Sequence, residues 1–244
     1  MDSSVRRDVL AAPLSARFST GMNMKRTVVF LVVGLACGVS LDAQWTQWRG
    51  PDRDGVVPAA LVPVAWPEVL APRWRRPVGD GYASPVTDGT RLFVHSRDER
   101  HEVITALSLS DGRPVWTGRQ PSAFVKNKYA AQMSDGPFST PLVAGGVLYT
   151  LGATAVLTAW DAATGEVRWR HDWSAEVDTS RLFTGTAMSP LLDSGLLIVH
   201  VGDDRTGVLR ALDPASGAEK WRLPGHGPAT RRPSSRHSAA RGSS

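Results

Sequence analysis

The chain has 244 residues and a formal net charge of +5, from 28 Lys and Arg against 23 Asp and Glu. Between residues 44 and 226 the count is 19 basic against 20 acidic residues, a balance of −1, so the excess positive charge lies near the two ends. This distribution leaves no basic face for phosphate backbones and argues against nucleic acid as a partner. A single cysteine excludes an intrachain disulfide framework.

The N-terminal region has the pattern of an export signal. Residues 1–23 lack an apolar core of their own and are interpreted as an upstream extension. Residues 24–43 begin with MKR, continue with the apolar run TVVFLVVGLACGV and end in LDA, which is typical of a cleaved signal peptide and too short for a transmembrane helix. The sequence therefore predicts an exported chain, in the periplasm or outside the cell, without a transmembrane helix. A lipid anchor at Cys37 is the less favoured alternative, because Gly34 stands where a lipid-attachment motif has a larger aliphatic residue.

One peptide recurs three times in the chain, always closing on tryptophan. It reads ALSLSDGRPVW at 106–116, AWDAATGEVRW at 159–169 and ALDPASGAEKW at 211–221. The closing tryptophans are 53 (169 − 116) and 52 (221 − 169) residues apart, and a Ser-Pro or Thr-Pro opens an apolar run ahead of each copy. The repeated positions are Trp116, Trp169 and Trp221, then Gly112, Gly165 and Gly217, then Asp161 and Asp213, with Ser108 in place of the aspartate in the first copy.

Each unit contains two turn signals between short runs rich in aliphatic and aromatic residues, which favours two β-hairpins and four antiparallel strands. Four-stranded units repeated at roughly 40 to 50 residues are typical of β-propeller blades. The sequence predicts an all-β fold over 44–227, an incomplete toroid of about three blades at 78–120, 136–173 and 186–224, with a lead-in strand that ends at Trp74. We expect the repeated tryptophans to fill the seams between blades rather than to bind a ligand.

The spacing of alanine, leucine or tryptophan, aspartate, threonine or serine, glycine and tryptophan resembles the repeat of pyrroloquinoline-quinone-like (PQQ-like) β-propeller proteins. The stretch QWTQWRGPDRDGV from Gln44 is similar to the opening of secreted members. The resemblance covers about residues 44–226 and implies one of two functions. Some members of this superfamily bind protein partners without a cofactor, and others are dehydrogenases that use a bound quinone and a calcium ion. The alcohol-oxidising dehydrogenases commonly have an adjacent cysteine pair, which this chain does not have.

We therefore expect a non-catalytic binding scaffold that needs no cofactor. The alternative is a fragment of a PQQ- and calcium-dependent quinoprotein dehydrogenase whose catalytic half is missing from this sequence.

Neither a catalytic nor a metal-binding residue is assigned from the sequence. His95 and His200 share one repeat position, but the middle copy has leucine there, which favours solvated or strand-end histidines over a metal pair. Residues 52–55, Asp-Arg-Asp-Gly, are interpreted as a turn rather than a calcium loop. The paired acids at 98–99 and 203–204 are interpreted as solvated hairpin turns.

The stretch after Trp116, TGRQPSAFVKNKYAAQMSDGPFS, is the longest between repeat landmarks. Long propeller loops often carry the binding surface, and this loop mixes aromatic and cationic side chains that suit a protein or glycan partner. The candidate partner-binding residues are Phe124, Lys126, Lys128 and Tyr129. The alternative is a loop without a binding role.

Residues 228–244 contain many arginines and serines and no apolar periodicity, which predicts a disordered or non-native tail. A frameshift is the sharper hypothesis for this tail. A shifted reading from Ala229 permits Tyr-Ala-Ser-Pro-Val-Val, which is similar to YASPV at the start of the first unit.

Overall fold

A computed structural model describes residues 44–124, 127–203 and 205–225 of the protein. The upstream extension, the signal peptide with Cys37, the C-terminal tail, Lys126 and Asp204 lie outside the described residues. Within the described ranges, none of the helices is long and apolar enough to cross a membrane.

The described chain folds into three antiparallel sheets of four strands, with neighbouring strands consecutive in the sequence. Blade 1 contains β1 (Val86–Thr87), β2 (Arg91–Asp98), β3 (His101–Ser108) and β4 (Pro114–Pro121). Blade 2 contains β5 (Leu142–Ala144), β6 (Val147–Leu151), β7 (Val156–Asp161) and β8 (Val167–Asp172). Blade 3 contains β9 (Leu191–Asp193), β10 (Leu196–Gly202), β11 (Gly207–Leu212) and β12 (Glu219–Gly225). The prediction of an all-β fold with about three propeller blades is confirmed.

Short 3-10 helices lie in the connections, at Ala59–Leu61, Lys128–Ala130, Ser174–Glu176 and Thr179–Arg181. The buried core lies between the sheets. One apolar cluster joins blades 1 and 2 and includes Phe93, Ile104, Leu148 and Trp160, with Trp116 packed against it. A second cluster joins blades 2 and 3 and includes Leu151, Leu157, Leu197 and Val199, with Trp169 packed against it.

In blades 2 and 3 the repeated aspartate and glycine build the turn before the closing tryptophan. In blade 2, the carboxylate of Asp161 accepts hydrogen bonds from the backbone N–H groups of Ala163 and Thr164 at 2.9 and 3.0 Å. The Arg168 guanidinium and these N–H groups hold the pKa of Asp161 at about 2. Gly165 follows with a φ of 78°, a left-handed conformation that glycine adopts without steric cost.

Trp74, Trp116 and Trp169 each lie over a turn of the blade that comes next in the chain. A Cβ at Gly165 would lie only 2.6 Å from the Trp116 ring, so the indole packs directly on the glycine backbone. The indole N–H of Trp116 also donates to the carbonyl of Ala162 at 3.0 Å. The same arrangement recurs with Trp74 on Gly112 and Leu109, and with Trp169 on Gly217 and Pro214. Trp221 in the last described strand is 41% exposed.

The lead-in segment differs from the prediction. Trp74 was expected to end a strand, but residues 62–79 belong to none. The reason is that Trp74 contacts blade 1 through its indole, which donates to the Leu109 carbonyl at 3.1 Å, rather than through paired backbone groups.

Candidate functional site

The connections between blades begin at one end of the sheets, which we call the upper face. Pro121 at the end of β4 pairs with His101, beside the β2–β3 turn. Asp172 at the end of β8 pairs with Val156, beside the β6–β7 turn. The upper face therefore includes the connections 122–141 and 173–190 and the turns 99–100 and 152–155.

The base of the first connection is held rigidly. Tyr82 stacks on Phe138 with ring centroids 4.3 Å apart. The backbone N–H groups of Tyr82 and Ala83 both donate to the carbonyl of Pro137 at 2.9 Å. Gly136 packs against the backbone of Asp80, where a side chain would clash. Residues 80–83 thus fix the position at which the connection enters blade 2.

The tip of this connection presents an exposed aromatic and cationic pair. Tyr129 is 75% exposed, and the Lys128 Nζ lies 5.0 Å from the centre of its ring. The Asn127 side chain accepts a hydrogen bond from the Tyr129 N–H at 3.0 Å, which fixes the start of the short helix. Phe124 differs from the expectation that it contacts a partner, because its side chain is buried and 6% exposed. Of the predicted set, Lys128 and Tyr129 are therefore the described residues that a partner can reach.

The second connection contributes an aromatic side chain that sequence reasoning missed. Phe183 is 51% exposed. It follows Arg181, whose Nε lies 2.9 Å from the Asp178 carboxylate. The sequence did contain a signal for it. Arg181, Leu182 and Phe183 lie in the connection after the second repeat, which corresponds to the candidate partner-binding loop after the first repeat.

The upper part of the seam between blades 1 and 2 contains a buried ionisable pair. His95 is buried rather than solvated, and its Nε2 lies 3.4 Å from Oε2 of Glu102. Glu102 itself is fully buried. Sequence reasoning did not single out Glu102, because alternation along β3 does not reveal what a neighbouring blade places against it.

Both oxygens of Glu102 accept hydrogen bonds from the protein. Oε1 accepts from the Ala153 N–H at 2.7 Å and from the Ser122 hydroxyl at 3.2 Å, and Oε2 accepts from the Gln120 amide at 3.0 Å. Burial acts to raise the pKa of Glu102, but the adjacent His95 ring, together with these hydrogen-bond donors, outweighs it and holds the pKa at about 2. Ala153 belongs to blade 2, so the carboxylate cross-links two blades.

The hydrogen-bond network continues outward along the same seam. The Thr158 hydroxyl donates to Gln120 Oε1 at 3.0 Å and accepts from the Arg170 guanidinium at 3.2 Å. Arg97 donates to the Ser122 carbonyl at 2.8 Å. These contacts tie the upper ends of β2, β4, β7 and β8 into one polar set.

These residues do not fit a calcium ion. Calcium requires six to eight oxygen ligands. Glu102 is the carboxylate buried deepest in the part of the chain that the structure describes, and protein donors occupy both of its oxygens. Among the described residues, no group of three or more histidine, cysteine or acidic side chains is placed to hold a metal ion.

The predicted acidic turns lie at the ends of hairpins. Asp98 pairs with Arg119, with Nη2 to Oδ2 at 2.6 Å. Asp203 accepts hydrogen bonds from the N–H groups of Arg205 and Thr206 at 2.8 and 3.0 Å. Asp203 therefore stabilises its own turn, whereas Asp98 joins the end of β2 to β4.

A family model described as "Outer membrane protein assembly factor BamB" matches residues 101–243, more than half of the chain. The chain is 27% identical over 151 residues to outer membrane protein assembly factor BamB of Yersinia pestis, covering 60% of this chain and 33% of that protein. It is 28% identical over 133 residues to quinohemoprotein alcohol dehydrogenase of Comamonas testosteroni, covering 53% and 16%. The chain thus spans a third or less of the length of these curated relatives.

Solved structures of similar fold include BamB from Moraxella catarrhalis, at 18% identity and a TM-score of 0.43, covering 63% of this chain and 43% of that one. A europium-containing methanol dehydrogenase is similar at 20% identity and a TM-score of 0.45, covering 59% and 24%.

Proposed function

The chain belongs to the PQQ-like repeat family described as outer membrane protein assembly factor BamB, and on that premise we propose that it is an exported, non-catalytic scaffold that binds a protein through its upper face. The observation that carries this proposal is the exposed Tyr129 and Lys128 pair on a connection with a fixed base. Tyrosine is enriched at protein interfaces, where it buries a large area at low conformational cost, and a charged neighbour such as Lys128 suits the polar rim of an interface.

The arrangement of the connection supports binding by a preformed surface. The Tyr82–Phe138 stack and the hydrogen bonds to Pro137 hold the base in place. A loop that is ordered before the partner arrives loses less conformational entropy on binding. Phe183 extends the exposed aromatic set to the next connection of the upper face.

The chemistry of the seam supports a structural use of its ionisable groups. A general base must reach the proton that it abstracts. Glu102 accepts hydrogen bonds from Ala153, Ser122 and Gln120 and is fully buried, so its carboxylate serves to join blades 1 and 2.

The test is site-specific photocrosslinking in cells that export the full chain. A photoreactive phenylalanine analogue at Tyr129 is expected to give one discrete crosslinked product, which mass spectrometry then identifies. The matched control is the same analogue at Thr164, an exposed residue in the turn at the opposite end of blade 2, which is expected to give no product. Equal crosslinking at both positions, or none at Tyr129, would contradict the proposal. A crosslinked product that contains glycan and no second protein would show that the partner is a glycan.

The second candidate, a fragment of a quinoprotein dehydrogenase, is favoured by the match to the Comamonas testosteroni enzyme. Calorimetric titration of the purified chain with pyrroloquinoline quinone, with and without calcium, separates the two. Saturable binding of the quinone that requires calcium would overturn the scaffold.

A further inference from the structure

The first described residues of the chain run across all three blades. We call residues 45–55, which read WTQWRGPDRDG, the strap. Within the described sheets, β1, β5 and β9 each pair with a single neighbouring strand, so each has one edge that faces away from its sheet, and we call these three edges together the inner edge. A free strand edge presents unpaired backbone groups that can pair with a further segment.

Consecutive residues of the strap pair with the first two blades. The Thr87 N–H in β1 donates to the Trp45 carbonyl at 2.9 Å, and Trp45 forms an antiparallel bridge with Thr87. The Val143 N–H in β5 donates to the Thr46 carbonyl, also at 2.9 Å. Two adjacent carbonyls of the strap therefore bind two different blades.

A buried arginine extends the strap to the third blade. Arg53 Nη1 donates to the carbonyl of Pro190, the residue directly before β9, at 3.0 Å. The same nitrogen donates to Gln47 Oε1 at 3.0 Å, and both side chains are buried. Pro190 stands in blade 3 where the Ser-Pro and Thr-Pro signals stand in the other two blades. The strap thus reaches all three blades near the start of their first strands, two residues after the proline in blades 1 and 2 and at the proline itself in blade 3.

The turn between these contacts is held by its own hydrogen bonds. Gly50 N–H donates to Gln47 and Gly55 N–H donates to Arg49, at 3.0 and 2.9 Å. Gly50 has a φ of 83°, and a Cβ there would lie 2.9 Å from the Trp45 ring, so glycine permits both the turn and the close ring contact. The guanidinium groups of Arg49 and Arg53 lie 5.4 and 5.5 Å from the centre of the Trp48 ring.

We propose that the inner edge is a peptide-binding surface and that the strap is its intramolecular ligand. The chemistry that this surface recognises is two consecutive extended residues, whose carbonyls accept from β1 and β5, followed by a tight turn that delivers one arginine to the Pro190 carbonyl. Because the turn is preorganised, the strap loses little conformational entropy when it binds. By holding three blades at once, the strap makes them one cooperative unit.

The first experiment compares two arginines of the same turn. Arg53→Ala removes the contact to blade 3, whereas Arg49→Ala removes a guanidinium that also lies by Trp48 but donates to Asp54 within the strap. In the full chain we expect amide hydrogen exchange at Val143 and Thr87 to speed up at least tenfold with Arg53→Ala and less than twofold with Arg49→Ala. Equal effects of the two substitutions, or an effect of Arg53→Ala confined to residues 47–55, would overturn the proposal.

The second experiment cuts the covalent link and keeps the contacts. Residues 62–73 form an exposed connector between the strap and blade 1, and a site-specific protease site is inserted there. After cleavage we expect the strap fragment to elute with the blades on size exclusion, and to separate from them when the chain carries Arg53→Ala. Release of the strap from the cleaved chain with Arg53 intact would show that the inner edge does not bind it.

Discussion

The two seams between blades share one register but differ in chemistry near the upper face. In the seam between blades 1 and 2, His95, Glu102 and Gln120 form a buried polar set. The strand pairing places Leu151, Ala155 and Trp173 at the equivalent positions of the seam between blades 2 and 3. The same backbone therefore closes one seam with a carboxylate and the other with apolar side chains.

The second seam contains a buried arginine, Arg210, whose carboxylate partners reach water. Trp173 is buried and stacks on His171 with ring centroids 5.0 Å apart. The Arg210 guanidinium lies 4.7 Å from the centre of the Trp173 ring. It pairs with Glu176, whose side chain is 53% exposed, and with Glu219, whose side chain is 30% exposed. Carboxylates that reach water lose little hydration energy, whereas Glu102 depends entirely on its protein donors. Removing a single side chain is therefore expected to destabilise the first seam more than the second.

The largest effect is expected from Glu102→Ala. It leaves the Ala153 N–H, the Ser122 hydroxyl and the Gln120 amide without their acceptor and removes the partner of His95, and breaking a buried pair in this way costs about 3 to 5 kcal/mol. Urea unfolding followed by circular dichroism measures the loss.

The control for this prediction is Glu176→Ala, which removes an exposed carboxylate from the other seam but leaves the buried Arg210 paired with Glu219, so it should cost clearly less stability than Glu102→Ala. A double variant sharpens the comparison: His95→Leu with Glu102→Ala adopts two residues of the apolar seam and should recover part of the lost stability. If the single and double variants are equally unstable, the polar set is not what distinguishes the seams.

The next effect is a dependence on acid. The pKa of Glu102 is about 2 in the folded chain, below its ordinary value of 4.5. The stability that it contributes is present above pH 4.5 and is lost as the pH falls from 4.5 towards 2, by roughly 3 kcal/mol in all. Glu102→Gln removes this titration. We therefore expect the free energy of unfolding to fall more steeply between pH 5 and pH 3 for the unmodified chain than for the Glu102→Gln variant. Parallel pH profiles for the two proteins would place the acid-sensitive groups elsewhere.

The contrast between the seams also shows what the sequence can and cannot predict. The blades were predictable because their turns are local: Asp161 and Gly165 form theirs with neighbours in the chain. Glu102 was not predictable, because its role depends on the Ala153 N–H, 51 residues away on another blade. Phe124 was expected to be exposed for a similar reason, since loop position alone does not reveal burial.

The strap shows the same limit more sharply. Residues 52–55 read as an isolated turn, and the turn exists, but Arg53 within it bonds to Pro190, 137 residues later. No short-range pattern encodes that contact. The repeat itself supplied the one reliable long-range prediction, because equal spacing implies equal blades that must pack on one another.

The smallest effect is expected for Trp221, the closing tryptophan of blade 3, when it is compared with Trp116, which lies in a seam. Trp116 lies 6.3 Å from the Trp160 ring and donates to the Ala162 carbonyl, so Trp116→Ala should cost about 2 to 3 kcal/mol, less than a fully buried tryptophan. Trp221 occupies the equivalent position but is 41% exposed, and Trp221→Ala should change the free energy of unfolding by less than about 0.5 kcal/mol. Urea unfolding of the two variants at neutral pH measures this difference. The two residues share one repeat position and one strand register, and within the described residues they differ in that the turn at Gly165 covers Trp116 whereas no turn covers Trp221. A cost for Trp221→Ala as large as that for Trp116→Ala would therefore mean that another surface covers this ring in solution.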